Sequence, residues 1–367
     1  MTDESFKDKH FILKAKTAAA VLILVFFITA DLVTGKIFIP YNDNSLRIPH
    51  NYYHHDLKPD KKALSFWGHI GIDLYTNSLG FKDSSNRKVS LETGKRRFLF
   101  MGDSFIEGRA VAYEKTVTGL LDKRLDNIEI LNAAVSSYSP KLYYLKTKYL
   151  IEKVKLSFSD LFVCIDISDI ADELIYKDFV PGSISKTGLF IFNIKKYLKE
   201  NSYLFYSLSR IFKTKQFIEF DSGIFPGLKE GYNLINDNDF FKQRAEWTLE
   251  EDIYNDWGKI GLKSATEQMT KLKDLCQENN INLHVVIYPW PNQIYARDLD
   301  SIQVKQWTHF CKTYNLGLIN LFPDFINDIQ AEEIYKDYFI DGDVHWSLAG
   351  HKYVSERIFF YLQRSCF

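Results

Sequence analysis

The chain has no charge of either sign to spare. Its 46 basic and 47 acidic residues leave a net charge of −1, whereas binding to phosphate backbones needs a clear basic surplus on some face. Nucleic acid is therefore excluded as a main partner. Cysteine is scarce as well. The four residues, Cys164, Cys276, Cys311 and Cys366, show no Cys-x-x-Cys spacing, which suggests neither a zinc site nor a disulfide framework. Cys276 and Cys311 are able to pair, but buried thiols are the plainer reading. Internal repeats and low-complexity tracts are absent. What is plentiful is core material: 46% of the 367 residues are hydrophobic and 16% aromatic, enough for one large or two modest domains.

The N-terminus carries a stronger signal. Lys7, Lys9, Lys14 and Lys16 precede an uncharged, mostly apolar run from Thr17 to Ala30. Asp31 interrupts it, and Leu32, Val33 and Ile37-Phe38-Ile39 follow. A full span needs about 20 apolar residues, so Ala15 to Ile39 crosses a bilayer if Asp31 sits near the far interface. Lysines ahead of the run hold the N-terminus in the cytoplasm and send the rest outward. A signal peptide cut after Ala30 is the alternative. Ile28 is a poor residue two positions before that cut, which favours an uncleaved anchor. The expectation is a tail and single-pass anchor over 1–39, with the remainder extracytoplasmic, periplasmic or at the cell surface.

Residues 40–94 are polar and aromatic and read as an extended arm laid over the following domain. Within it, neighbouring His54 and His55 point to opposite sides of an extended chain, which speaks against a shared metal site. From 95 to 367 an α/β rhythm sets in. Apolar runs at Phe98–Met101, Ile128–Val135, Leu161–Ile167, Leu283–Tyr288 and Leu316–Leu321 alternate with helical patterns. These patterns lie at Glu114–Leu125, Pro140–Val154, Lys259–Asn279, Ser301–Tyr314 and Ser347–Leu362. Such alternation predicts a mostly parallel sheet covered on both faces. The rhythm breaks at about 177–256, too long for an ordinary connection. This stretch reads as a helical insertion over the mouth of the site. Its basic aromatic part, Lys195–Phe217, reads as a solvated helix with an apolar underside.

Three of the predicted strands end in small polar residues: Gly102-Asp103-Ser104, Asn132 to Ser139, and Asp166-Ile167-Ser168-Asp169. In a parallel sheet these ends share one edge, where ligands bind. A serine hydroxyl is a poor nucleophile until a base takes its proton. The base comes from Asp341-Gly342-Asp343-Val344-His345-Trp346, ahead of a helix that Ser347 can cap. Asp343 and His345 are two apart, so an extended segment puts both on one face. The carboxylate then orients the imidazole toward Ser104, the logic of a Ser-His-Asp triad; Asp341 is the other carboxylate able to do so. His351 falls inside the helix and reads as a packing residue. An acyl-transfer site also needs donors for the developing oxyanion, and the N–H of Ser104, the N–H of Ser137 and the hydroxyl of Ser168 are the candidates. Asp166, Asp169, Asp172 and Glu173 read as a solvated helix start, favoured there by the helix dipole, and no metal site is expected. Trp290, after the fourth strand, is placed at the site rim to stack on a sugar or pack in a rigid turn.

These blocks resemble those of the SGNH (GDSL-type) hydrolase superfamily. Gly102-Asp103-Ser104-Phe105 matches the first block and implies Ser104 as nucleophile. Asn132 to Tyr138 resembles the second, with Ser137 where a glycine usually donates to the oxyanion. Ile165 to Asp169 resembles the third, with Ser168 in the asparagine place and Asp166 in the glycine place. Asp343-Val344-His345-Trp346 resembles the last block in the form seen in alginate-type O-acetyltransferases, although there it precedes the serine in the chain. The resemblance spans roughly 97 to 360. It implies a flavodoxin-like three-layer α/β/α fold without a cofactor, and a membrane-anchored serine esterase or O-acyltransferase. The implied substrate is an acylated carbohydrate, by resemblance an O-acetyl ester of a cell-envelope glycan, or another ester. The rival expectation is a silent scaffold that binds envelope polysaccharide or a partner acyltransferase.

Overall fold

Strands at the centre of a parallel sheet are buried on both faces and are built from near-continuous apolar runs. In this computed structural model, which describes residues 3–39, 43–67, 70–109, 111–211, 223–327 and 329–365, those runs become the sheet. Pro40, the stretch 212–222 and Cys366 lie outside the described residues.

A small antiparallel pair, β1 (Arg47–His50) and β2 (His54–Leu57), stands apart from the main sheet. Eight further strands form that sheet: β3 (Lys62–Trp67), β4 (Ile70–Thr76), β5 (Lys82–Asp83), β6 (Arg96–Met101), β7 (Ile128–Asn132), β8 (Asp160–Ile165), β9 (Asn282–Ile287) and β10 (Gly317–Asn320). Their spatial order is β10-β9-β8-β6-β7-β5-β4-β3. The five strands from β6 to β10 pair in parallel. Taken in chain order they run second, first, third, fourth, fifth across the sheet, which is the flavodoxin-like order with its switch point between β6 and β8. The arm is therefore laid over the domain only in its first part, where Tyr138 donates to the His55 carbonyl at 2.6 Å and Lys146 pairs with Asp56 at 2.9 Å. Its strands β3 to β5 extend the sheet in antiparallel fashion beyond β7.

The principal helices are α1 (Asp3–Phe38), α2 (Ser104–Glu107), α3 (Val117–Arg124), α4 (Pro140–Tyr149), α5 (Asp169–Tyr176), α6 (Lys186–Asn201), α7 (Tyr203–Ile211), α8 (Asn238–Gln243), α9 (Lys259–Glu278), α10 (Ile302–Tyr314) and α11 (Leu348–Ser365). Helix α11 packs on α3, while α9 packs on α4 and α5. A hydrogen bond from Gln306 to Thr266 (3.0 Å) ties α10 to α9. The result is two helical layers around one sheet, as right-handed crossovers require when the strand order reverses.

The described residues of 1–41 and 187–215 form one compact unit, and those of 42–186 and 216–367 form another. In the first, α1 is long and apolar enough over His10–Phe38 to cross a membrane. It packs on α7, with the Leu204 N–H donating to Asp31 Oδ1 at 2.8 Å. The expected insertion is thus divided: α6 and α7 belong with α1, whereas 223–256 belongs to the α/β unit. Cys164, Cys276 and Cys311 are buried free thiols, and the Cys276–Cys311 pairing does not form.

Candidate active site

Strand β6 ends in Gly102, where a β-carbon would lie 2.9 Å from Ile106 Cγ1 and 3.3 Å from Cys164 Cβ. Only glycine lets the chain turn this closely into α2. Asp103 caps that helix, its Oδ1 accepting the Phe105 N–H at 2.9 Å. Ser104 is the first helical residue, at the mouth of the switch point. Asn132, at the end of β7, donates to the Ile106 carbonyl (2.7 Å) and to Thr118 (3.0 Å), so the neighbouring strand fixes the helix that carries Ser104.

The segment ahead of α11 reaches the same place. His345 Nε2 lies 2.8 Å from Ser104 Oγ, and His345 Nδ1 lies 2.5 Å from Asp343 Oδ1, which also accepts the His345 N–H at 3.0 Å. Of the two carboxylates open to the role, Asp343 takes it. Desolvation raises the Asp343 pKa, but the contacts with His345 outweigh it and hold the carboxyl below its usual range. The Tyr335 hydroxyl donates to the Ile340 carbonyl and accepts the Asp343 N–H, each at 3.1 Å. Buried Trp346 packs against Phe105 (4.9 Å) and Tyr288 (4.6 Å), locking the histidine segment onto the serine turn. His351 is buried inside α11.

The oxyanion candidates separate. Ser137 adopts φ of 62°, the left-handed conformation that glycine takes without strain, and it lines the cavity next to Ser104. Among the described residues no backbone carbonyl accepts the N–H of Ser104 or of Ser137. Ser168 does not join them. It is fully buried, its hydroxyl donates to Asp166 Oδ1 at 2.7 Å, and it is not part of the cavity wall.

Beneath Ser104 lies a feature that the sequence reading placed in solvent. Asp166, Asp169, Asp172 and Glu173 are all buried, and oxygens of Asp103, Asp166 and Asp169 lie within 4.8 Å of one another. Burial, then the proximity of Asp166, raises the pKa of Asp103 far above the ordinary carboxylate value. Burial and Asp166 do the same to Asp169, and Asp172 is raised to about 6 by burial despite nearby Arg244. Asp103 Oδ1 accepts from Phe105 N (2.9 Å) and the Tyr288 hydroxyl (3.4 Å), and its Oδ2 lies 3.2 Å from Ser104 Oγ. Ser104 Oγ donates to Asp103 Oδ2 in this arrangement, and His345 Nε2 is its other hydrogen-bond neighbour.

No family model matches the chain, and no curated protein does. Solved structures give distant matches. TesA is 10% identical, with a TM-score of 0.41 over 73% of this chain and 99% of its own. A lipolytic G-D-S-L family protein from Veillonella parvula is 11% identical, with a TM-score of 0.40 over 73% and 99%. A catalytic mutant of an acetylxylan esterase from Geobacillus stearothermophilus is 14% identical, with a TM-score of 0.39 over 75% and 96%. In this chain itself, the serine follows the first parallel strand, Asp-x-His precedes the last helix, and the strand order reverses between them. The fold is flavodoxin-like, with the serine and the Asp-x-His segment brought together at its switch point.

In this α/β unit the cavity at the switch point has a volume of about 440 Å³. Trp290 lines it, yet its ring is 5% exposed, its Nε1 donates to Asp166 Oδ2 at 2.7 Å, and Arg244 lies 5.3 Å over it. It is a wall, not an open platform for a sugar. The sequence reading missed Arg47, His55, Arg109 and Arg244, which also line the cavity. Arg47 and His55 arrive from the arm, and Arg244 from the segment just after α8. Only Arg109, five residues after Ser104, carried a signal of position. His54 and His55 do not diverge as an extended chain would place them: φ of 70° at His54 brings the two Nδ1 atoms to 2.7 Å. Fully buried Glu107 accepts from Arg47 (2.7 Å) and from Ser136 N and Oγ (2.6 and 2.7 Å). Burial raises its pKa, but Arg47, Arg109 and Ser136 outweigh that and hold it to about 2.

Proposed function

We propose that the protein is a serine esterase or O-acyltransferase. The observation that carries this reading is the unbroken contact from Ser104 Oγ to His345 Nε2 (2.8 Å) and from His345 Nδ1 to Asp343 (2.5 Å). Ser104 Oγ attacks the ester carbonyl carbon while His345 takes its proton, and Asp343 holds the imidazole in the required tautomer. The negative charge that develops on the carbonyl oxygen is met by the N–H groups of Ser104 and Ser137. Collapse releases the alcohol, protonated by His345, and leaves the acyl group on Ser104. Water or a glycan hydroxyl, deprotonated in turn by His345, then takes that group. The acyl group is acetyl and the substrate an envelope glycan in the reading the sequence resemblance favours. Helix α1, which is long and apolar enough to span a bilayer, tethers the protein as a single-pass anchor with the α/β unit outside the cytoplasm.

An active-site fluorophosphonate labels the wild type and fails to label Ser104→Ala; equal labelling of both sinks the nucleophile. The buried, inward-turned Ser168 favours one second reading, a scaffold without turnover that binds polysaccharide or a partner acyltransferase. Hydrolysis of p-nitrophenyl acetate that disappears in His345→Ala removes that second reading.

A further inference from the structure

Helices α6 and α7, which contribute nothing to the wall of the catalytic cavity, turn a surface of the wrong polarity toward water. On α6, Phe190, Ile194 and Tyr197 recur at spacings of four and three residues and so share one face. All three are exposed, Phe190 by 66%, and exposed Ile191 lies beside them. The opposite face, with Gly188, Phe192 and Lys196, is buried or half-buried. Helix α7 repeats the pattern. Leu204, Leu208 and Ile211 follow the same spacing, and Leu204 and Ile211 are 63% and 73% exposed. A solvated helix turns its polar side outward, whereas these two turn an apolar side outward. Single apolar residues on a surface need no cover, but contiguous stripes mark a binding face.

The compact unit that contains both helices indicates the cover. Almost none of the most apolar stretch of α1 is buried by protein, and a helix that is apolar all round and uncovered needs a bilayer. Helix α7 continues that surface. It packs on α1, the rings of Tyr203 and Phe38 meet at 5.9 Å, and the Leu204 N–H donates to Asp31 Oδ1 at 2.8 Å. The depths agree as well. Lys16 and Lys36 stand about 30 Å apart along α1 at about 1.5 Å per residue, which matches a hydrocarbon core of about 30 Å. Asp31 then lies about 7 Å inside the boundary that Lys36 marks. An interfacial helix buries its apolar face to about 5–10 Å, so α7 starts at the depth such a helix occupies. Its first turn meets the only acid in residues 17–38. Exposed Tyr197 and Tyr203 are of the type enriched at membrane boundaries. We propose that α6 and α7 lie in the bilayer boundary beside the C-terminal end of α1, their apolar stripes against lipid acyl chains. The proposal rests on the reading of α1 as an anchor and adds a second, non-spanning membrane contact to it. The chain leaves the α/β unit near residue 187 and returns near 216, so this contact ties that unit to the membrane by three chain connections instead of one.

The test places an environment-sensitive fluorophore on single cysteines of the full-length protein in phosphatidylcholine vesicles, with or without brominated acyl chains. A Cys366→Ser background is used, and Cys164, Cys276 and Cys311 are buried. Ile194→Cys and Leu208→Cys report the two stripes, exposed Lys199→Cys reports α6 away from its stripe, and Leu24→Cys reports the middle of α1. Bromine is expected to quench the Ile194→Cys and Leu208→Cys probes at least about twofold more than the Lys199→Cys probe, as one immersed face requires. Quenching on the stripes no greater than at Lys199→Cys overturns the proposal. A stripe probe shielded from water-soluble iodide yet untouched by bromine also overturns it, in favour of a protein cover such as a second copy of the chain. The Leu24→Cys probe decides the anchor separately. If bromine leaves it unquenched, the spanning reading of α1 fails, and the contrast between the stripes and Lys199→Cys still decides whether α6 and α7 touch lipid.

Discussion

At the residue scale, Ser137 is a side-chain-bearing residue held in a backbone conformation that suits glycine. Its φ of 62° costs an L-residue roughly 1 kcal/mol, whereas glycine adopts it freely but loses more freedom on folding. Ser137→Gly keeps the N–H in place, so fluorophosphonate labelling continues at a rate within about threefold of wild type, and the two backbone terms nearly cancel in stability. Loss of labelling by two orders of magnitude, the typical worth of one oxyanion donor, would mean that the serine side chain itself is needed. Glu107 behaves differently, because its partners are charged. Glu107→Gln leaves Arg47 buried without its carboxylate, and breaking such a pair costs about 3–5 kcal/mol. The sign with pH follows from the depressed pKa. The wild-type advantage is full above the unfolded value of about 4.3 and is lost as pH falls through the folded value of about 2. Urea unfolding of both proteins at pH 7 and at pH 3 measures it; an unchanged gap at the two pH values counts against the ion pair.

At the scale of elements, the α1–α7 contact turns on two residues one helical turn apart. Asp31 Oδ1 accepts the Leu204 N–H at 2.8 Å. A β-carbon on Gly35 would meet the Asn201 carbonyl oxygen at 1.8 Å. Asp31 thus caps the start of α7, a role worth about 1 kcal/mol, and the charge that interrupts the apolar run has a structural use. Gly35→Leu forces the α6–α7 junction off α1, and Asp31→Leu frees the cap. Both variants are expected to cleave faster than wild type at residues 201–204 under limited proteolysis, Gly35→Leu the more so; unchanged cleavage in Gly35→Leu would show that the junction does not depend on this approach. None of this was legible in sequence, because α1 and α7 lie about 170 positions apart and pair through a backbone carbonyl. The parallel strands were legible, since burial on both faces writes a continuous apolar run, and so were the polar residues at their ends. The arm was misread in its second half: β3 to β5 pair on the sheet edge through backbone groups, which leave little mark on side-chain pattern. The acids after β8 were misread for a related reason. A helix start rich in aspartate looks solvated, and only the tertiary fold sets it beneath Ser104. The arginines of the cavity wall escaped because they come from three separate stretches.

At the scale of the α/β unit as a whole, two sets of buried groups pull its stability in opposite directions with pH. His55 and His351 are buried, and desolvation lowers their pKa values to about 4 and about 3. Unfolded, they take up protons near pH 6.5, so their contribution is intact above that value and is lost as pH falls toward the folded values. Asp172 works the other way. Burial raises it to about 6, so its contribution is full below the unfolded value of about 3.9 and is lost as pH rises through 6. The shift of about two units corresponds to roughly 3 kcal/mol of cost at neutral pH, a sizeable part of a domain's usual 5–15 kcal/mol. Between about pH 4 and 6 the two histidine slopes exceed the single carboxylate slope, so the summed contribution of these three groups rises toward neutrality and levels off above about pH 6.5. Asp172→Asn removes the second slope. It is expected to gain up to about 3 kcal/mol at pH 8 and little at pH 4.5, making the rise toward neutrality steeper. Urea unfolding from pH 4.5 to 8.5 reads both curves. An offset of equal size at the two ends would place the effect of Asp172 in packing or in its interaction with Arg244, not in the cost of keeping a buried carboxylate ionised.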